Sequence, residues 1–247
     1  MNSQNQIITF PGGRCLFASR HSGMSDGLYD SLNVSLHVGD KEEAVMANRR
    51  CLKDWLGATR LLSARQTHGV NIFSLTGPLT CDREIADCDA LITDQPGVAL
   101  MIQHADCQAV LLHDPKRRVI AAVHNGWRGS VAGILVKVVA RLADDWHCQA
   151  EDLRATVSPS LGPCCGEFIH YREHLPPAFQ RFMPGENHVD FWHVTHWQLC
   201  EAGLRGEHIR LPSVCTRCND NYFSHRRATA AGLAATGRNA SLIMLID

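Results

Sequence analysis

Residues 101–130, MIQHADCQAVLLHDPKRRVIAAVHNGWRGS, read as two apolar strands around a turn, with Cys107 in the first and His124 ending the second. Read as two strands around a turn centred between Pro115 and Lys116, the stretch has Leu112 facing Val119 and Val110 facing Ala121. The same register makes Cys107 face His124, whereas a one-residue slip would put them on opposite faces. Directly opposed Cβ atoms in a hairpin lie roughly 4.5–5.5 Å apart. At that separation a thiolate and an imidazole either share a metal or act as nucleophile and base. A third group is His68 of QTHG, in a polar loop after an apolar strand. His68, Cys107 and His124 form a His2Cys set. Three protein ligands with one open position is the pattern of a catalytic zinc, which brings the pKa of bound water to about 7. Mixed nitrogen and sulfur ligands also suit copper. The plain alternative is a buried, inert Cys107 and a hydrogen-bonded structural His124.

Other residues surround this set. NGWRGS is a glycine-bracketed loop carrying Arg128, and Ser130 is a candidate N-cap for the next helix. A helix start offers free N–H groups to an anion, so Arg128 is a candidate phosphate ligand, with a structural ion pair as its alternative. Asn33 and Gln66 lie in polar loops and either bind substrate or cap those loops. Asp106 is a candidate proton shuttle, although a regular strand would point it away from Cys107. Phe223 and Arg227 are candidate pocket residues, with core packing the alternative for Phe223. CTRC, 215–218, is a lone CxxC and reads as two ordinary cysteines. Cys164-Cys165 and the His193/His196 pair of HVTHW carry no assignment.

The elements that must position these groups alternate irregularly. KEEAVMANRRCLKDWLG, 41–57, has helical spacing of Val45, Arg49, Leu52 and Leu56, with Gly57 as its stop. RLLSARQTHGVNIFSL reads as strand, loop, strand. ADCDALITDQPGVALMIQHADCQAVLLHD supplies two or three strands divided by the turn 94–97. SVAGILVKVVARLADDW reads as one amphipathic helix with Val131, Ile134, Leu135, Val138, Val139 and Leu142 on one face. Helical pieces interrupted by prolines fill 171–200, and HIRLPSVCT and SLIMLID are late strands. The expected fold class is α+β: a single domain over 1–247 with mixed β-sheets flanked by helices.

Composition narrows the partners. The chain has 247 residues, is 45% hydrophobic and 20% charged, and has a formal net charge of −1. No broad basic field points to nucleic acid, and no apolar run approaches the ~18 residues of a membrane span. Eleven cysteines without regular spacing do not form a disulfide framework. The opening residues lack a basic segment followed by an apolar one, so no leader is expected. The expectation is a soluble, cytoplasmic protein with reduced cysteines.

Taken in order, the motifs resemble the YfiH-type laccase-domain family. HNGWRG at 124–129, ADC at 105–107, QTHG at 66–69 and DALIT at 89–93 are similar to its landmarks. So are DSLNVSLHVGD at 30–40, NRR at 48–50, GPCC at 162–165 and CT…YFSHRR…TGR from Cys215 to Arg238. Ala109 and Gly166 depart from it, replacing a proline and an aromatic, and the link from the Arg pair to Thr-Gly-Arg is longer. The resemblance implies one α+β domain, related in fold to cytotoxic necrotizing toxins. It implies a Zn2+ or Cu2+ site on His68, Cys107 and His124. The implied activity is phosphorolysis of adenosine, inosine and S-methyl-5'-thioadenosine, with adenosine deamination beside it. The implied partners are purine nucleosides and phosphate, with room for a homodimer. Copper-dependent polyphenol oxidation and peptidoglycan editing are alternatives within the family. A metal-free cysteine hydrolase or deamidase using Cys107 and His124 is the alternative from the residues themselves.

Overall fold

Four seven-residue strands are buried at every position: β7 (Val98–His104), β8 (Gln108–Asp114), β9 (Val119–Asn125) and β12 (Asn239–Leu245). A strand buried on both faces must lie between two layers, which explains their continuous apolar runs. The computed structural model describes residues 5–247, so the first four residues of the opening stretch, on which no leader is expected, lie outside it. It shows two mixed six-stranded sheets. In the first, β1 (Gln6–Phe10), β2 (Gly13–Phe17), β12, β7, β3 (Arg60–Arg65) and β5 (Arg83–Ala86) follow one another. In the second the order is β11 (Ile209–Arg210), β10 (Arg154–Val157), β8, β9, β6 (Ala90–Thr93) and β4 (Ile72–Leu75).

The sheets pack face to face. Leu62, Leu100, Ile102 and Ile243 of the first meet Leu91, Leu111, Ile120 and Ala122 of the second in one cluster. The outer face of the second sheet is covered by α3 (Ile134–Trp146) and α5 (Phe191–Glu201). The outer face of the first is covered by α1 (Glu42–Leu56) and the loop carrying Leu32 and Val34. The layers thus run helix, sheet, sheet, helix around shared cores, the expected α+β class. Among the described residues no helix is long and apolar enough to cross a membrane.

Two local expectations are corrected. The helix expected from Ser130 is two helices, α2 (Trp127–Val131) and α3, separated by Gly133 at φ 75°. A left-handed residue cannot continue an α-helix, so the chain turns there. Ser130 sits inside α2 and donates to Gln198 Oε1 at 2.9 Å instead of capping. The hairpin register also differs: Ala109 pairs with His124 and Asp114 with Val119. Asp114 Oδ1 accepts the N–H groups of Lys116 and Arg117 at 2.7 and 3.0 Å, and Arg118 takes φ 53°. These contacts build a four-residue loop centred one residue further on. Partner numbers therefore shift by two, which preserves the face, and Cys107 falls just before β8 begins.

The loop before α1 forms one wall of the site, and α1 holds it. Asn48 Nδ2 donates to the carbonyl oxygens of Asn33 and Ser31. Buried Arg49 donates to Val34 O at 2.8 Å and to Glu84 Oε2 at 2.6 Å. Burial alone would raise the Glu84 carboxyl, but Arg49 and His37 hold it below its ordinary range.

His113 gives a stability test. Its ring stacks on Phe10 with centroids 4.0 Å apart. Burial, then the nearby Arg154, lowers its pKa to about 4. A folded-state pKa below the ordinary His value means that the unfolded chain binds the proton more tightly. This contribution is complete above pH ~6.5 and is lost as pH falls towards ~4. His113→Phe is expected to make the fall in stability between pH 6.5 and 4 shallower, by up to about 1.4 kcal/mol per pH unit. Urea midpoints at pH 7 and 5 check this; identical slopes for both proteins would contradict it.

Candidate metal centre

The C-terminal ends of β3, β7 and β9 point to one end of the molecule, and the groups singled out from the sequence meet there. His68, Cys107 and His124 each place a ligand atom within 4.8 Å of the others. The two imidazole rings meet edge to face, with centroids 4.8 Å apart. His124 is buried and His68 is exposed. Gly126 lies against all three: a Cβ there would stand 3.1 Å from His68 Cδ2, 3.3 Å from Cys107 Sγ and 3.5 Å from His124 Cε1. The sequence thus leaves a side-chain-free cradle where the donors converge.

One carboxylate organises the trio. Asp89, fully buried at the start of β6, accepts His124 Nδ1 at 2.7 Å. It also accepts the backbone N–H groups of Thr67, His68 and Gly69 at 3.2, 3.0 and 2.8 Å. It fixes the loop that carries one histidine and orients the ring of the other, leaving His124 Nε2 for a ligand. His68 sits at φ 61°, and the three N–H bonds to Asp89 hold this left-handed turn. Burial raises the Asp89 carboxyl, but His124 and the backbone donors bring it below its ordinary range.

The electrostatics favour a thiolate. Burial alone would raise the Cys107 thiol; hydrogen bonds from His124 and His68 outweigh it and lower its pKa to about 6. Burial alone would lower His124; Asp89 and Cys107 outweigh that and raise it to about 9. A thiolate, two imidazoles and an oriented carboxylate fit a divalent zinc or copper ion, which would displace the imidazolium proton. Gly126→Ala is expected to push these donors apart by a few tenths of an ångström and weaken metal binding by about tenfold or more, with a small change in stability. Competition against a chromophoric chelator measures this, and unchanged affinity would show that the cradle tolerates a methyl group.

Two cavities open on the trio. One, about 380 Å3, is polar and takes in His37, Arg65, Gln66, His104 and Arg238. The other, about 370 Å3, is walled by Trp127, Phe168 and Phe191 and carries Arg128. Both share His68, Ala105, Cys107 and His225. Gln66 faces the polar cavity with its amide held by Gln103 N and O at 3.0 and 2.6 Å. Arg128 makes no ion pair among the described residues; its guanidinium lies 4.4 Å from the Trp127 ring centroid.

Four other groups are committed to structure. Asn33 is buried, donates to Ser35 O and Asp40 Oδ2, and accepts from Ser35 N and Arg238 N. Phe223 is core, with Arg20 stacked over it. Arg227 donates to the carbonyls of Thr216, Arg217 and Tyr222 and lies away from the trio. Asp106 lines the aromatic cavity, but at φ 83° it is off the strand, and its oxygens accept Thr216 Oγ1 at 2.7 Å and Arg226 N at 2.6 Å.

Asp89, His225 and Arg238 are the site residues that sequence reasoning missed. An acidic residue opening the apolar strand DALIT was the only signal for Asp89.

The family described as multi-copper polyphenol oxidoreductase laccase matches residues 14–246. A curated relative, "Purine nucleoside phosphorylase YlmD" of Geobacillus stearothermophilus, is 32% identical over 250 residues, covering 93% of this chain and 91% of its own. This chain belongs to the laccase-domain family. The crystal structure of YlmD from Geobacillus stearothermophilus superposes with a TM-score of 0.87 at 29% identity, covering 100% of this chain and 98% of that one. The Bacillus licheniformis hypothetical protein YfiH gives 0.85 at 27% identity, covering 99% and 100%. Laccase-domain membership fits metal binding at the trio and, with the relatives' names, supports an enzyme. Gly166, where the resemblance expects an aromatic, has no room for one: a Cβ would stand 2.3 Å from Val189 O.

Proposed function

We propose that the chain is a zinc-dependent purine nucleoside phosphorylase acting on adenosine, inosine and S-methyl-5'-thioadenosine, with adenosine deaminase activity. The observation that carries this reading is the placement of the trio between an aromatic cavity and a cationic polar one. A purine stacks on Trp127 and Phe168, since every base offers a π-face to an aromatic wall. The ribose then lies across the shared boundary. Arg238 in the polar cavity receives the phosphate, with Arg128 as the guanidinium on the purine side. In phosphorolysis a phosphate oxygen bonds to C1' of the ribose as the C1'–N9 bond breaks, and its electron pair leaves with the purine. His225 is the titratable side chain outside the trio that both cavities share, so it is placed to protonate the departing base. Zinc bound by the trio would act as a Lewis acid beside the reacting atoms.

Elemental analysis of purified protein, together with incubation with inosine and phosphate, tests the proposal. Bound zinc and hypoxanthine release that depends on phosphate are expected. No metal and no phosphate-dependent release would overturn it.

A second reading has its own observation. Cys107, His124 and Asp89 are hydrogen-bonded in sequence, the arrangement of a thiol nucleophile, its base and the group that orients the base. This order would serve a metal-free cysteine hydrolase.

A further inference from the structure

A second cluster of sulfur atoms lies away from the trio. Cys164 and Cys165 occupy the short 3-10 turn Pro163–Cys165 after β10. Cys215 and Cys218 lie in the turn between β11 and α6 (His225–Ala230). Backbone pairing joins the two segments: Ser160 bridges Cys215, and Thr216 N–H donates to Ser160 O at 3.0 Å. The four sulfurs all lie within 4.8 Å of one another. Cys218 Sγ stands 3.8 Å from Cys164 Sγ and 3.4 Å from Cys165 Sγ. A disulfide needs about 2.05 Å. Four sulfurs on a tetrahedral zinc at about 2.3 Å each stand about 3.8 Å apart.

Donors gather at two of the four sulfurs, Cys215 and Cys165. Gly162 N–H donates to Cys215 Sγ at 3.2 Å, and the backbone N–H groups of Cys218 and Arg217 aim at the same sulfur. Arg217 Nη1 approaches Cys165 Sγ at 3.5 Å. Inert core cysteines would not gather such donors, and Cys164 and Cys218 are exposed rather than core. Thiol groups alone gain little from mutual contact, whereas a cation at their centre turns the crowding into attraction.

We propose that Cys164, Cys165, Cys215 and Cys218 bind a structural zinc ion as a closed four-thiolate site. Binding leaves the oxidation state of sulfur and metal unchanged and releases the thiol protons to solvent. The site clamps two segments that shape the aromatic cavity. Leu161, Gly166 and Phe168 follow or precede the first cysteine pair on that wall. After the second pair, Thr216 and Arg226 hold the Asp106 carboxylate beside Cys107. The ion thus acts on the cavity wall without touching substrate.

The test uses the full chain, expressed with zinc and purified with a thiol reductant. Elemental analysis should find about one zinc fewer per chain in Cys215→Ser/Cys218→Ser than in the unaltered protein, whatever the occupancy of the trio. A second measurement needs no variant. Native alkylation with iodoacetamide, read by peptide mass spectrometry, should spare Cys164 and Cys218 until a chelator is added. Equal zinc content in both proteins, alkylation at the same rate with and without chelator, or recovery of the four cysteines as two disulfides would each overturn the proposal.

Discussion

Asp89→Ala is expected to cost about 3–5 kcal/mol of stability and to abolish metal retention. The carboxylate is fully buried and meets three backbone N–H groups of the 67–69 loop and the ring of His124. Its removal strands four donors, each costing about 1–3 kcal/mol when unsatisfied, less whatever water enters the gap. His124 also loses the partner that fixes its ring, and His68 loses the bond that holds its left-handed turn. Asp89→Asn is the milder variant. It keeps the shape, but its single acceptor oxygen cannot serve all four donors, and its charge is gone. Metal affinity should fall about 10–100-fold, with stability reduced less than in the alanine variant. Urea unfolding and chelator competition measure both effects. An asparagine variant with unaltered affinity would mean that Asp89 supports only the fold.

His68→Ala should separate the two readings of the centre. With two of three ligands left, zinc retention should collapse, and phosphorolysis with it, by about 10³-fold or more in kcat/KM. The fold should survive, because His68 is exposed and Asp89 still binds the loop through backbone N–H groups. An alanine at φ 61° adds about 1–2 kcal/mol of strain, well below the cost expected at Asp89. A cysteine hydrolase built on Cys107, His124 and Asp89 would keep most of its activity. Retained turnover after complete loss of metal would therefore overturn the zinc reading and support the thiol one. Elemental analysis, steady-state kinetics and a urea midpoint on one preparation distinguish the outcomes.

The Cys107–His124 pair was legible because strand geometry has a period of two, and the QTHG loop supplied His68. The expected hairpin centre was one residue off, yet Cys107 and His124 still shared a face, since partner numbers shifted by an even count. The turn itself was misread because Asp114 caps it with its own carboxylate, a local bond that apolar patterning does not report. α1 emerged with nearly its full extent from periodicity and Gly57. β1 and β5 were missed: β5 is short, and both lie at sheet edges and are only partly buried, so neither shows a clear alternation. Asp89 and Arg238 could not be placed from sequence, because each acquires its role only when distant segments converge. The Cys164-Cys165 and Cys215/Cys218 pairs were invisible as a set for the same reason: Cys164 and Cys218 are 54 residues apart.

β12 lies between β2 and β7, and among the described residues no other strand joins the two halves of the first sheet. On a ribosome β2 emerges early and β12 follows more than two hundred residues later. Until then β2 and β7 each present an unpaired edge of backbone donors and acceptors. The nascent chain therefore depends on a very late closure, slow by its large contact order and exposed to edge-to-edge association meanwhile. Arg238 directly precedes β12, so the polar cavity is completed in the same event. Catalytic competence would thus report that the sheet has closed, and a chain stalled before that point would carry the metal ligands without a finished pocket.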